Sequence, residues 1–284
     1  MSQIWIAAVI TTILIFFIVG GILLKIIDIS KYKKEMIFIF LLNLLLPASL
    51  YYLVRLPLDS LINRWLATYP EVLFWVKSIY APITEEPGKA LILLFPFCLK
   101  FLNKSTIQGA AIAAGMGFGI GEAWLLAHLY AGNPVFNSYQ WYEYTGFISE
   151  RFTVAIIHGS FIGLTIYFTV VKRKFLLGIS LAMLSHFALN FPILLFSSHG
   201  IPLQTITRQI LLMSWSTVFF ALSLVFLIWL GNKPNISLLG KLRKALGKAT
   251  CPKCNATYDR PILGINLLTK RLEKCPNCKK WVIT

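Results

Sequence analysis

Two sets of side chains in this chain have the types and spacing needed for chemistry. The first is Cys251-Pro-Lys-Cys254, followed after twenty residues by Cys275-Pro-Asn-Cys278. Each CxxC loop holds two thiolates one zinc coordination sphere apart, and two such loops complete a tetrahedral four-cysteine site. All four ligands come from protein, so no position stays open for substrate, and the zinc is structural. A reducing inner location favours thiolate–metal bonds over disulfides. A domain this small cannot fold on an apolar core alone, so metal binding drives its folding. Cys98, the remaining cysteine, sits in an apolar helix as a small hydrophobe.

The second set is scattered. Glu85, Glu86 and Lys89 stand together; Glu122, His158, His186 and Asn190 follow at long intervals. A carboxylate can take a proton from water and make it a nucleophile, and a His or Asn can hydrogen-bond the oxyanion that results. Two neighbouring carboxylates suit general acid–base work. The same Glu and His set equally suits a catalytic zinc holding water. Taken singly, the Glu–Lys group could also be a buried structural ion pair and Glu122 a bond to a neighbouring helix, and His158 reads as a packing residue. His186 and Asn190, four residues apart, read as an interhelical bond.

What decides between these readings is where the elements place the residues. Of 284 residues, 57% are hydrophobic and 13% charged, against about 25% charged in soluble domains. The apolar excess must face lipid. Spans of roughly 20 apolar residues are expected at 4–25, 36–54, 85–102, 106–130, 151–171, 175–197 and 208–230. Segment 72–84 carries Lys77 and Pro82 and reads as an interfacial helix. The first apolar run has its charges after it, at Lys25, Lys31, Lys33 and Lys34, so it is an uncleaved span rather than a signal peptide.

Charge sets the orientation. With the N-terminus outside, the inner segments 25–35, 100–105, 172–174 and the tail hold four, two, three and twelve of the 27 Lys and Arg. This asymmetry predicts an all-α polytopic bundle of about seven transmembrane helices, N-out and C-in. The domains are expected at 1–232 (membrane bundle, its core about 72–197), 233–248 (basic linker) and 249–284 (cytosolic zinc-ribbon). The net charge of +16 then points to topology and anionic headgroups, with no nucleic acid expected. Outer loop 131–150 carries Tyr139, Trp141, Tyr142 and Tyr144, which suit an interfacial belt.

Ionisable residues in a bilayer are costly and usually functional. Pro87 places Glu85 and Glu86 in the first turn of the third span. Glu122, His158 and Asn190 each lie seven or eight residues from the outer ends of their spans. Four helices thus bring polar groups to one level in the outer half, which favours a site over unrelated structural pairs. In the fourth span, Gly115 and Gly119 allow close helix approach.

These motifs resemble those of the PrsW-type intramembrane proteases, within the superfamily of CAAX prenyl proteases and bacteriocin-processing enzymes. Glu85-Glu86-Pro-Gly-Lys89 is similar to their EExxK motif and Phe118-Gly-Ile-Gly-Glu122 to FxxxE. His158, with Arg151 before it, resembles the third motif, and His186-Phe-Ala-Leu-Asn190 the final HxxxN. Ala123 stands where the family commonly has Asn, and the cysteine tail lies outside the shared core. The resemblance implies a prokaryotic plasma-membrane endopeptidase cleaving a membrane-anchored protein, such as an anti-sigma factor, near its outer side. Glu85 or Glu86 would activate water, assisted by Glu122 and His158, with His186 and Asn190 on the oxyanion. Both metallo- and glutamate-dependent mechanisms stay open at this point. The rival readings are a proton-coupled transporter using the same residues, and an inactive scaffold whose ribbon recruits a cytosolic partner.

Overall fold

A computed structural model describes residues 2–22, 29–198, 205–231, 247–261, 264–267 and 270–284. Most of the expected linker, 233–248, lies outside them. The chain separates into two compact units, Met1–Leu230 and Gly231–Thr284.

The first unit is helical. In chain order it contains α1 (Ile4–Gly20), α2 (Tyr32–Leu66), α3 (Pro70–Lys89) and the short α4 (Pro96–Phe101). Then come α5 (Ile107–Ala131), the single turn α6 (Pro134–Asn137), α7 (Thr145–Val170), α8 (Phe175–Ser198) and α9 (Thr205–Leu230). Among the described residues, five helices are long and apolar enough to cross a membrane: those of α2, α5, α7, α8 and α9; α1 is apolar but shorter.

Burial ranks these helices. In the most apolar stretch of α5, 72% of residues are buried, against 22% in α2 and 11% in α9. So α5 is the central pillar, and the outer helices turn Leu53, Leu176 and Met213 away from the bundle interior. Glycines let α5 take that place. A Cβ at Gly121 would fall 2.1 Å from the Leu44 carbonyl oxygen of α2, and one at Gly115 would fall 2.4 Å from the Ala155 carbonyl oxygen of α7. Two glycine stripes on opposite faces of one helix therefore seat two neighbours at backbone contact.

The region around Glu85 departs from expectation. Residues 72–84 are no separate interfacial helix, and Glu85 and Glu86 do not open a span. They lie near the end of α3, which starts at Pro70 and includes Pro82 and Pro87 in its interior. A proline marks a helix start by statistics, but here the helix has already formed and absorbs it. The 85–102 segment is broken as well. A 3₁₀ turn (Ala90–Leu94) follows α3, and Phe95 is extended before Pro96. A residue preceding proline is pushed out of the α region, which separates the two helices.

At the other end, Gln3 donates to Gln140 at 2.9 Å and accepts from the Trp141 backbone at 3.0 Å. The N-terminus and the aromatic loop therefore share one end of the bundle. Tyr144 is buried there, whereas Tyr139, Trp141 and Tyr142 are exposed.

The second unit holds two small antiparallel sheets. One pairs β1 (Lys248–Thr250) with β2 (Thr257–Asp259). The other runs β3 (Gly264–Leu267), β4 (Lys270–Lys274) and β5 (Trp281–Ile283) in that order.

Candidate functional site

Five helices converge on one buried polar cluster. α3 brings Glu85, Glu86 and Lys89; α5 brings Glu122; α7 brings Arg151 and His158; α8 brings His186 and Asn190; and α2 brings Arg55.

Its inner layer is closed to solvent. Glu86 Oε1 accepts from Lys89 Nζ at 2.6 Å and lies 2.6 Å from His186 Nδ1. A carboxylate only accepts, so His186 donates from Nδ1, and its Nε2 points away from Glu86. Lys89 Nζ also sits 2.7 Å from His158 Nδ1. An ammonium only donates, so His158 carries its proton on Nε2, which lies 3.4 Å from Glu122 Oε2. Lys89 further rests 4.2 Å from the centre of the Phe118 ring, which itself packs edge-on against His158.

The outer layer lines a cavity of about 590 Å³ between α3, α7, α8 and α9. Glu85, Glu122, His158, His186 and Asn190 all face it, and Met213 and Phe220 of α9 form its apolar wall. Glu85 is 5% exposed. Its Oε1 accepts from Arg55 at 3.1 Å, while its Oε2 has no hydrogen-bond partner among the described residues. That free oxygen lies 3.9 Å from His186 Nε2 and 3.8 Å from Lys89 Nζ. Asn190 lies one helical turn from His186 on the same wall. Glu122 is held by Arg151 at 2.8 Å, and Arg151 also meets Glu150 at the rim.

All six residues expected from sequence are therefore gathered in one place, but in two layers. Arg55 was not singled out by its sequence. It sits within α2, thirty residues before Glu85, and only folding joins them. The Tyr80 hydroxyl fixes that junction by donating to the Arg55 carbonyl at 2.8 Å.

Each carboxylate of the cluster has a cation beside it. Glu85, Glu86 and Glu122 face Arg55, Lys89 and Arg151. The donor atoms of Glu85, His158 and His186 lie within 4.8 Å of one another, a set that on composition alone suits a metal. The surroundings do not suit one. Lys89 occupies His158 Nδ1, the other ring nitrogen faces Glu122, and the ammonium stands 3.8 Å from the free oxygen of Glu85. A divalent ion there would displace a hydrogen bond and add uncompensated positive charge in a low-dielectric interior.

The tail makes the opposite case. Cys251 Sγ lies 3.7 Å from Cys278 Sγ, and Cys254 Sγ lies 3.8 Å from Cys275 Sγ. Zinc with bonds of about 2.3 Å sets tetrahedral sulfurs about 3.8 Å apart. All four sulfurs lie within 4.8 Å of one another, so this cluster can hold a metal ion. The two loops are built alike. In each, the first cysteine's carbonyl accepts at 2.9 Å from the residue after the second cysteine, Asn255 or Lys279. Both of those residues take positive φ, at 54° and 57°. Behind the cluster, fully buried Glu273 accepts from Tyr258 and Thr284, each at 3.0 Å. The Tyr258 phenol is pushed up to about 12, first by burial and then by that carboxylate.

No protein-family model matches this chain, and no curated protein or solved structure is significantly similar to it.

Proposed function

We propose that this protein is an intramembrane endopeptidase that hydrolyses a peptide bond of a membrane-anchored protein with water activated by Glu85. The observation that carries this reading is the free, buried Oε2 of Glu85, which faces the cavity 3.9 Å from His186 Nε2. One water can bridge those two acceptors. Glu85 takes its proton, and the hydroxide adds to the scissile carbonyl carbon. The oxyanion is met by the Asn190 amide, which lines the same cavity. The proton then passes from Glu85 to the leaving amine as the C–N bond breaks.

The remaining residues position this chemistry. Glu86 holds His186 in the tautomer that presents a lone pair to the water, and Lys89 anchors Glu86. Glu122 and Arg151 orient His158 on the opposite wall. The resemblance of the four motifs to PrsW-type proteases supports the same assignment. We read the membrane unit as seven spans, N-out and C-in. In this reading α1 is the first, the broken α3–α4 segment is the third, and the cysteine unit is a cytoplasmic zinc-ribbon. Broken helices at membrane depth are tolerated where they are buried in protein or line a cavity.

The test is cleavage of candidate single-span membrane proteins in proteoliposomes by wild type and Glu85→Gln. Loss of cleavage in a variant that melts like wild type supports the reading. Cleavage at the wild-type rate overturns it. Proton-coupled solute uptake lost in the same variant would instead favour a transporter.

A further inference from the structure

The second unit carries an exposed face that its metal cluster does not use. β4 alternates: Arg271 and Glu273 are buried, while Lys270 and Lys274 are exposed. The antiparallel register sets Lys274 opposite Trp281 and Leu272 opposite Ile283. Directly opposite residues share a sheet face, so these four side chains form one surface. Trp281 is 56% exposed and Ile283 52%, and Lys279 and Lys280 flank them in the preceding turn. A large aromatic and a β-branched side chain left in water beside lysines, on a domain with little apolar surface to spare, call for a partner.

We propose that this face docks on an anionic lipid bilayer, with Trp281 and Ile283 entering the headgroup layer and the lysines meeting lipid phosphates. Three observations carry the choice of occupant. The first is charge. Lys248, Lys253, Lys270, Lys274, Lys279 and Lys280 are exposed, whereas among the described residues of this unit Asp259 is the one exposed acid, opposite Lys248 on the other sheet. The second is side-chain type. Tryptophan, with its apolar body and polar N–H, partitions to the headgroup level, and lysine stems lie along apolar surface while their ammonium groups reach phosphate. The third is the tether. Residues 231–247 follow directly on a helix long and apolar enough to cross a membrane. Seventeen residues reach about 60 Å at most. The bilayer is thus presented at high effective concentration, so a weak face suffices. Each lysine near an anionic surface raises occupancy on the order of fivefold.

This inference does not depend on the protease reading. Full-length, zinc-loaded protein carrying 5-fluorotryptophan is placed in nanodiscs of neutral phosphatidylcholine, or of phosphatidylcholine with 30% phosphatidylglycerol. The Trp281 ¹⁹F signal is identified by its loss in Trp281→Phe. In anionic discs a headgroup-region spin-labelled lipid broadens that signal several-fold more than a water-soluble gadolinium chelate does. Neutral lipid, about 0.5 M salt or Lys274→Glu/Lys279→Glu/Lys280→Glu reverses the preference. Equal exposure to the chelate in both disc types overturns the proposal. Shielding that persists in neutral lipid and in the charge-reversed variant also overturns it, in favour of a protein surface. Shielding that appears only on adding an RNA oligonucleotide overturns it in favour of nucleic acid.

Discussion

The cysteine cluster and the membrane cluster are both compact groups of potential ligands, yet they are assembled in opposite ways. Each CxxC loop is the tip of its own hairpin, with Thr250 paired to Thr257 and Lys274 to Trp281. Four sulfurs then need only two local turns and one pairing of loops to meet. The membrane cluster draws on five helices and on contacts spanning up to 100 residues, as between Glu86 and His186. In the tail, four cysteine sulfurs stand close enough together to hold a metal ion. In the first unit, Glu85, Glu86 and Glu122 already face Arg55, Lys89 and Arg151, and a divalent ion beside Lys89 would add positive charge to a site that a cation already occupies. Similar donor types thus gather in one place as four sulfurs close enough to hold a metal ion and in the other as carboxylates and histidines paired to fixed cations.

The largest effect that could break this contrast is metal removal. Structural zinc of this kind contributes on the order of 10–16 kcal/mol. A strong chelator, or Cys251→Ser, should unfold the tail and abolish zinc stoichiometry measured by elemental analysis. The melting of the membrane unit and the cleavage rate should hold within about twofold. Chelator-sensitive cleavage in a variant lacking the tail cysteines would erase the contrast and restore a catalytic metal.

Next in size is Glu85→Gln, expected to slow cleavage by about 10²- to 10⁴-fold, the range for losing a positioned general base. Zinc content should not change. Lys89→Met leaves Glu86 buried with a charge unmatched, which typically costs about 3–5 kcal/mol. Thermal unfolding in detergent should show the loss, and Glu86→Gln combined with Lys89→Met should recover part of it. If the double variant is no more stable than the single one, the pairing of these two residues is not what holds the inner layer.

Smaller still is Gly121→Ala. The new Cβ meets the Leu44 carbonyl, and forcing α2 and α5 apart should cost about 1–3 kcal/mol without touching the tail. Last comes Arg55→Gln. It removes the charged hydrogen bond that fixes Glu85 Oε1, and cleavage should fall about tenfold, with kcat affected more than KM. An unchanged rate would reduce Arg55 to a bystander.

The membrane character of the first unit and the ligand set of the second were legible in the sequence, because both rest on local facts: unbroken apolar runs and a paired CxxC spacing. The six polar residues of the membrane cluster were legible as a set through their types and intervals. Their layering was not. Glu85 and Glu86 are adjacent in sequence, and nothing local says that one faces a cavity while the other is sealed against Lys89 and His186. Pro87 even misled, since a proline that commonly opens a helix sits here in the last turns of α3. Arg55 carried no local signal at all.

By itself, then, the sequence determined that the first unit holds helices long and apolar enough to cross a membrane and that four cysteines are spaced to share a metal, because both follow from composition and short spacing. Only the tertiary structure decided which of the two adjacent carboxylates turns a free oxygen to the cavity, which histidine nitrogen lies near it, and that Lys89 stands where a metal would otherwise sit. Those outcomes depend on how α3, α5, α7 and α8 rotate against one another, and that rotation is set by packing at glycine contacts across the whole bundle.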